Sequence, residues 1–468
     1  MIPCTAFRER RAAVFGLGES GIVTAEALVA GGCQVACWDD GEASRVRAAA
    51  SGLPIVNLAE ADWSVYDALV LAPGVPLTHP EPHWTVVKAR EAGIEIIGDI
   101  ELFCRERELQ APHAPFVAIT GTNGKSTTTA LIAHIFAKAG RDVQMGGNIG
   151  KPVLSLEPPA NGRFHVLELS SFQIDLTPSL HPTVAVMLNV TPDHLDRHGT
   201  LEQYAAIKER IVTTAETAIV GVDDALSRAM AERRIAAGGP TVQISARTEL
   251  PAGIYTEGTV VTFSRGGREL PIADIAGIPA LRGRHNGQNA AAAIAAVSTL
   301  GVNAETIRAA LPVFPGLPHR MEEVGRRGNV LFINDSKATN ADSAEKALLS
   351  FNRIYWIAGG KPKEGGISSL RPLFDRVAKA YLIGEAKDAF ADTLGSSVRH
   401  QKTGTLDNAF RLAAADAAKD KAGEVAVLLS PACASYDQFK NFEVRGDRFK
   451  ELVKGLSDVV LTNQGDKP

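Results

Sequence analysis

The stretch Phe116-Val117-Ala118-Ile119-Thr120-Gly121-Thr122-Asn123-Gly124-Lys125-Ser126-Thr127-Thr128 constrains this chain more than any other. A short apolar run reads as a buried strand and a turn bearing two glycines follows. From Lys125 onward, Leu131, Ile132, Ile135 and Phe136 recur at the spacing of one helix face. In a strand, turn and helix of this kind, the turn's N–H groups and the positive helix terminus converge on one point. Lys125 adds a cation there, and the Ser126 hydroxyl can reach a magnesium ion. The stretch is suited to hold a polyphosphate. Ile119 stands where the strict phosphate-loop consensus has glycine, so only Gly124-Lys125-Ser126 is intact, and the competing reading is a tight turn with a solvated lysine.

The 468 residues around this stretch exceed what one core organises and imply about three modules. Hydrophobic residues at 45% and charged residues at 22% predict a globular chain without long disorder. A formal net charge of -4 leaves no basic excess for coating nucleic acid. Cys4, Cys33, Cys37, Cys104 and Cys433 are scattered without a Cys-x-x-Cys pair, which predicts reduced thiols rather than a disulfide or zinc framework. No apolar segment suits a signal peptide or membrane span, so the expected location is cytoplasmic, with no membrane partner.

N-terminal to the central stretch, Ala12 to Phe15 reads as a strand, Gly16-Leu17-Gly18-Glu19-Ser20-Gly21 as a turn and Ile22 to Ala30 as a helix. Gln34 to Trp38 follows as a second strand ending in Asp39-Asp40. This G-x-G-x-x-G pattern with a following acid fits a nicotinamide cofactor, a uridine nucleotide or simply a tightly turned βαβ unit. Ala68 to Leu71 adds a strand before Pro73-Gly74. The run Ala111-Pro112-His113-Ala114-Pro115 breaks the periodicity and marks a boundary, so residues 1–110 form the first expected module.

In the second expected module, 111–316, a turn at Gly146-Gly147-Asn148-Ile149-Gly150 precedes the strand Phe164 to Glu168. Glu168, at a strand end downstream of a phosphate turn, is placed to hold magnesium directly or through water; a capping or salt-bridged glutamate is the alternative. After the strand Thr183 to Val190, Asp193, His194, Asp196 and His198 could ligate a metal, contact phosphate or line a solvated loop. Tyr204 and Lys208 share a helix face, where the lysine by itself reads as a surface residue. Asn286 and Asn289, three apart before an alanine-rich helix, could present both amides to a planar base edge, with capping the alternative for Asn286.

Phe314 to Arg320 is rich in Pro and Gly and reads as a hinge into a third module, 317–468. There strands at Val330–Ile333, Ile354–Ile357, Ala380–Ile383 and Val425–Leu429 alternate with helical patterns. The expected fold class is therefore α/β in three parts: a Rossmann-like N-terminal module, a central phosphate-loop module with a mostly parallel sheet, and a Rossmann-like C-terminal module. The tail from Thr462 to Pro468 is polar and expected to be loose.

These residues together resemble the Mur ligase family over nearly the whole chain. The resemblance rests on Thr120 to Thr127, Glu168-Leu169-Ser170-Ser171-Phe172-Gln173, Asn189 to Arg197, His285 to Asn289 and Pro318-His319-Arg320. Asn334 to Asn340, Leu429 to Ser435 and Phe439 to Phe442 are similar to the members that add D-glutamate. The resemblance implies an ATP-dependent ligase. The carboxylate of UDP-N-acetylmuramoyl-L-alanine would become an acyl phosphate, which the amine of D-glutamate attacks in cytoplasmic peptidoglycan precursor synthesis. It implies that Gly18, Glu19, Ser20, Asp39, Asp40, Pro73, Gly74, Asn148 and His194 meet the UDP precursor. ATP would meet Gly121, Thr122, Asn123, Gly124, Lys125, Ser126, Thr127, Asn286, Asn289, Arg320 and Asp335. Magnesium at two sites would involve Ser126, Glu168, His194 and Lys208, the last as a carbamate; Lys125, His194 and Lys208 carry the catalytic roles. D-Glutamate would meet Lys337, Thr339, Lys363, Ser435 and Phe442, with Lys361 able to replace Lys363. The implied enzyme is a monomer acting on small molecules. A nicotinamide-dependent oxidoreductase and a non-catalytic nucleotide switch are the competing readings; the first leaves the phosphate turn and the third module without a role.

Overall fold

The computed structural model describes residues 1–363 and 365–462; the tail expected to be loose lies, from residue 463 on, outside the described residues. The chain divides into two compact units, the first comprising Met1–Asp274 with Gly287–Leu311 and the second Ile275–Asn286 with Pro312–Pro468.

The first unit contains two sheets. β1 (Arg11–Phe15), β2 (Gln34–Trp38), β3 (Ala68–Leu71) and β4 (Glu95–Ile97) form a parallel sheet in the order β2-β1-β3-β4. The first helix starts at Glu19 rather than at Ile22. Gly21 is what lets its first turn close onto the strand, since a Cβ there would lie 1.8 Å from the Gly16 carbonyl oxygen.

The second sheet runs through β5 (Phe116–Thr120), β6 (Asp142–Gly147), β7 (Arg163–Glu168), β8 (Val184–Met187), β9 (Thr217–Gly221), β10 (Thr241–Ser245), β11 (Ala252–Glu257), β12 (Val260–Arg265) and β13 (Arg268–Asp274). Their order is β13-β12-β11-β10-β9-β8-β5-β7-β6, parallel except for the antiparallel β11–β12–β13 meander. β5 lies between β7 and β8 and is buried along its whole length, as a parallel strand covered on both faces must be. The helix Lys125–Lys138 covers it with Leu131, Ile132, Ile135 and Phe136, all fully buried. One apolar core continues from Phe7 and Val14 through Phe103 and Phe116 to Leu167 and Met187, so both sheets of this unit share it.

The second unit has a seven-stranded sheet: β14 (Glu322–Arg327), β15 (Val330–Asn334), β16 (Ile354–Gly359), β17 (Val377–Ile383), β18 (His400–Gly404), β19 (Val425–Leu429) and β20 (Val460–Leu461), ordered β18-β17-β16-β19-β15-β14-β20. The four expected strands are its parallel centre. β18 extends the parallel part, and β14 and β20 add an antiparallel edge. With these sheets and their covering helices, the class is α/β with mostly parallel strands.

Candidate active site

The phosphate-type turn sits at the carboxyl end of β5, where Gly121 and Gly124 adopt φ of 151° and 86°. Both glycines are required by close approach as well as by conformation. A Cβ on Gly124 would meet Asn289 Oδ1 at 2.2 Å, and one on Gly121 would meet Leu188 Cβ at 2.9 Å. Gly124 caps the helix Lys125–Lys138, whose first turn carries buried Ser126 and half-buried Thr127. Lys125 folds back over the turn, its Nζ donating to the carbonyls of Gly121 and Thr122 at 2.9 Å each. The turn is braced from the segment after β8. Thr122 N donates to the Asn189 carbonyl, Asn123 N donates to Asn189 Oδ1, and Thr191 N donates to Thr122 Oγ1.

Glu168 ends β7 beside this turn and is 2% exposed. Asn148 Nδ2 donates to its Oε1 at 2.9 Å, while Oε2 is buried without a hydrogen-bond partner. An orphaned, buried carboxylate oxygen is costly unless a cation or donor completes it. The donor set therefore fits a magnesium ion, a hard cation that prefers oxygen ligands.

Lys208 corrects the expectation of a surface lysine. It lies on the helix Leu201–Thr214, is only 1% exposed, and donates to Thr120 Oγ1 and the Gly121 carbonyl at 3.0 Å each. Burial holds its pKa well below the ordinary lysine value, and the charge of Lys125 adds to the depression. Apart from the family resemblance, its sequence signal was the shared face with Tyr204, whose ring it meets at 4.8 Å.

The four acids and histidines after β8 do not form the metal cluster that their proximity in sequence allowed: among the described residues no group of three or more His, Cys, Asp or Glu side chains gathers for a metal. His194, at φ 53°, caps the short helix Leu195–His198 and stays exposed near Asp193. His198 turns inward, stacks on Phe172 and shares a hydrogen bond with Ser171; burial lowers its pKa to about 4. Arg197 lies over the Phe172 ring and donates to the Gly74 carbonyl, linking this segment to the turn after β3.

At the first sheet, Gly16, Ser20, Gly21, Pro73 and Asp99 line a small recess beyond β1 and β3. Gly18 caps the helix Glu19–Ala30, leaving Glu19 exposed in its first turn. The Asp39 carboxylate accepts from Leu17 N at 2.6 Å and Gly41 N at 2.8 Å, so it shapes the glycine turn, a role the sequence reading did not assign it. Asp40 is exposed and meets His83 Nε2 at 3.1 Å.

Asn286 and Asn289 are both buried in the helix Arg284–Thr299, but their amides have different partners. Asn286 Nδ2 donates to the Arg282 carbonyl, whereas Asn289 Oδ1 accepts from Thr128 Oγ1.

In the second unit the carboxyl ends of β15 and β19 bring Asp335 and Ser430 together. Asp335 is 7% exposed, accepts from Ser430 Oγ at 2.8 Å and Met321 N at 3.2 Å, and is pushed up to about 7 by burial. The nearby charge of Arg320 acts in the opposite direction. Lys337 Nζ lies 3.9 Å from the centroid of the Phe442 ring, a cation–π contact that assembles two expected pocket residues. Ser435 is buried, Thr339 is half-buried, and Lys361 and Lys363 are both exposed on the loop after β16. Arg445, absent from the expected set, ties these segments together. Buried at 1% exposure, it donates to Ser336 Oγ and to the carbonyls of Ser336, Cys433 and Ala434. An arginine on a helix gives no sign in sequence that it will be buried.

A phosphate turn beside a buried acid and lysine, and a second α/β unit with an aspartate–serine pair at its strand ends, suit the class that similarity to known proteins identifies, the ATP-dependent ligases. Residues 119–297 match the Mur ligase middle domain, and residues 319–433 match the Mur ligase glutamate ligase domain. The chain belongs to the Mur ligase family: it is an ATP-dependent, amide-bond-forming enzyme of peptidoglycan precursor synthesis. Among curated proteins it is similar to the UDP-N-acetylmuramoylalanine--D-glutamate ligase of Agrobacterium fabrum, at 59% identity over 98% of each chain. It is also similar to that of Rhizobium meliloti, at 58% identity over 98% of this chain and 100% of the relative. Solved structures agree on the fold. UDP-N-acetylmuramate-alanine ligase from Thermotoga maritima has TM-score 0.58 and 20% identity over 95% of this chain and 99% of its own. MurF from Acinetobacter baumannii has TM-score 0.56 and 22% identity over 75% of this chain and 79% of its own.

Proposed function

We propose that the chain joins D-glutamate to the alanine carboxylate of UDP-N-acetylmuramoyl-L-alanine in the cytoplasm, as a monomer, through an acyl phosphate. The curated relatives carry this activity in their names. The observation that carries the chemical reading is the grouping of Lys125, the orphaned Glu168 Oε2 and buried Lys208 around one phosphate turn.

The precursor's carboxylate attacks the γ-phosphorus of ATP, the bond to the β,γ-bridging oxygen breaks, and ADP leaves. The amine of D-glutamate then attacks the acyl carbon; phosphate departs and the amine loses a proton. Both steps bring anions together, so fixed cations and N–H dipoles lower the barrier. Lys125, now bound to turn carbonyls, would exchange those for phosphate oxygens, while Gly121, Thr122, Asn123, Gly124, Ser126 and Thr127 supply backbone and hydroxyl contacts. Ser126, Glu168 and His194 would hold magnesium, which offsets phosphate charge when bound. Lys208 is suited to become a carbamate and ligate a second ion. Its depressed pKa favours the neutral amine, which adds to the carbon of CO2 and loses a proton.

Asn286, Asn289, Arg320 and Asp335 would take the rest of ATP. Lys337, Thr339, Ser435, Phe442 and Lys363, or Lys361 in its place, would take D-glutamate; a lysine and hydroxyls suit a dicarboxylate. Gly18, Glu19, Ser20, Asp39, Asp40, Pro73, Gly74, Asn148 and His194 would meet the UDP precursor. This assigns 1–110 to the precursor, 111–316 to ATP and 317–468 to the amino acid. Phosphate release that requires both the precursor and D-glutamate tests the reading; release indifferent to D-glutamate would support a nucleotide switch instead.

A further inference from the structure

Beneath the phosphate turn runs a chain of side-chain amides that the catalytic groups do not account for. It starts at Asp223, just beyond β9, whose carboxylate accepts from Ser245 Oγ at 2.6 Å, Ala246 N at 2.9 Å and Gln288 Nε2 at 2.9 Å. Gln288 Oε1 then accepts from Asn189 Nδ2 at 2.9 Å. Asn189 reaches the turn with both ends of its amide: Oδ1 accepts from Asn123 N at 2.9 Å, and Nδ2 donates to the Asn123 carbonyl at 3.2 Å. Gln288 is 8% exposed.

The direction of this chain is fixed at one end. A carboxylate only accepts, so it selects the NH2 end of the Gln288 amide and leaves the oxygen for Asn189. That oxygen in turn selects the NH2 end of Asn189, which leaves Asn189 Oδ1 to receive Asn123 N–H. Flipping either amide would set donor against donor or acceptor against acceptor, at a buried position for Gln288 and a half-buried one for Asn189. Gly221 packs closely here: a Cβ there would lie 2.0 Å from the Leu188 carbonyl oxygen and 3.0 Å from Gln288 Nε2.

We propose that Gln288 is a positioning residue for ATP: with Asp223 it fixes the amide orientation of Asn189 and thereby the Asn123 peptide of the phosphate turn. Gln288 itself touches no substrate. The inference rests on the reading of the Lys125 turn as the ATP site, and the test separates the two. ADP titration into the wild type and Lys125→Ala establishes the turn as the nucleotide site. Equal affinity in both would overturn that reading and leave the hydrogen-bond chain without a nucleotide role.

With the site established, Gln288→Leu raises the KM for ATP and the Kd for ADP about tenfold, while the KM values for precursor and D-glutamate stay within twofold. A residue with only a structural role would lower the melting temperature or the active fraction and leave the ATP KM in place. Asp223→Ala, which removes the acceptor of Gln288 Nε2, acts in the same sense, and the Asp223→Ala/Gln288→Leu double variant is no worse than Gln288→Leu, because both changes break one chain. An unchanged ATP KM in folded Gln288→Leu, or additive effects in the double variant, overturns the proposal. Should Gln288→Leu fail to fold, Asp223→Ala decides alone: a raised ATP KM supports the proposal and an unchanged one overturns it.

Discussion

Replacing Lys208 with methionine tests the electrostatic state of the site through stability, independently of turnover. The wild-type amine is 1% exposed and makes two hydrogen bonds at 3.0 Å, and burial depresses its pKa well below 10.5. Between that depressed value and the unfolded value of about 10.4, the unfolded chain binds one proton that the folded chain does not. Wild-type stability therefore gains up to about 1.4 kcal/mol per pH unit from this group across the window, a slope methionine cannot contribute. At neutral pH two terms oppose. Losing two hydrogen bonds costs about 2 kcal/mol, and removing the amine relieves the cost of deprotonating it on folding, up to about 1.4 kcal/mol for each pH unit below about 10.4. The variant consequently compares best with wild type at pH 7 and loses ground progressively toward pH 10, by up to about 1.4 kcal/mol per pH unit. Urea unfolding in CO2-depleted buffer at pH 7, 8, 9 and 10 reads the difference, with carbamate formation suppressed. Parallel stability profiles would show that Lys208 keeps its proton on folding and would refute the reasoning.

The other expectations are more direct. Lys125→Ala lowers kcat by at least about a thousandfold, the scale of losing a principal transition-state cation, while calorimetry detects near-native binding of the UDP precursor; loss of both would contradict the residue map. Glu168→Gln preserves the side chain's shape but removes the carboxylate whose Oε2 is unsatisfied, so half-maximal activity shifts to at least about tenfold higher magnesium; an unchanged magnesium titration counts against the metal role. Because burial holds Asp335 near 7, its carboxylate forms as pH rises through that value, and wild-type kcat/KM for ATP climbs between pH 6 and 8. Asp335→Asn flattens that limb; a variant with the same limb would assign it to another group.

How much of this was legible in the sequence depended on how local its cause was. β5, its glycine turn and the helix Lys125–Lys138 follow from apolar periodicity and backbone demands within one short stretch. The same holds for the parallel strands β15, β16 and β19, whose apolar runs are continuous. β14 is Glu-Glu-Val-Gly-Arg-Arg, and such a charged segment becomes a strand only because the sheet offers it an edge. The burial of Lys208 likewise depends on where its helix packs against β5 and β8. Asp39 was correctly located at the end of β2, but its backbone partners depend on how tightly the glycine turn closes. Asn189, Gln288 and Arg445 act through partners distant in sequence; the stretches holding Asn189 and Gln288 carried the family resemblance, but nothing local showed which groups any of the three would meet.

The central claim is that the chain couples ATP cleavage to addition of D-glutamate. Incorporation of radiolabelled D-glutamate into UDP-N-acetylmuramoyl-L-alanine, followed together with ADP release and compared with L-glutamate and meso-diaminopimelate, tests it most directly. One labelled product per ADP is expected with D-glutamate, and background levels with the other two. Preferential incorporation of another amino acid, or ADP release without labelled product, would contradict it.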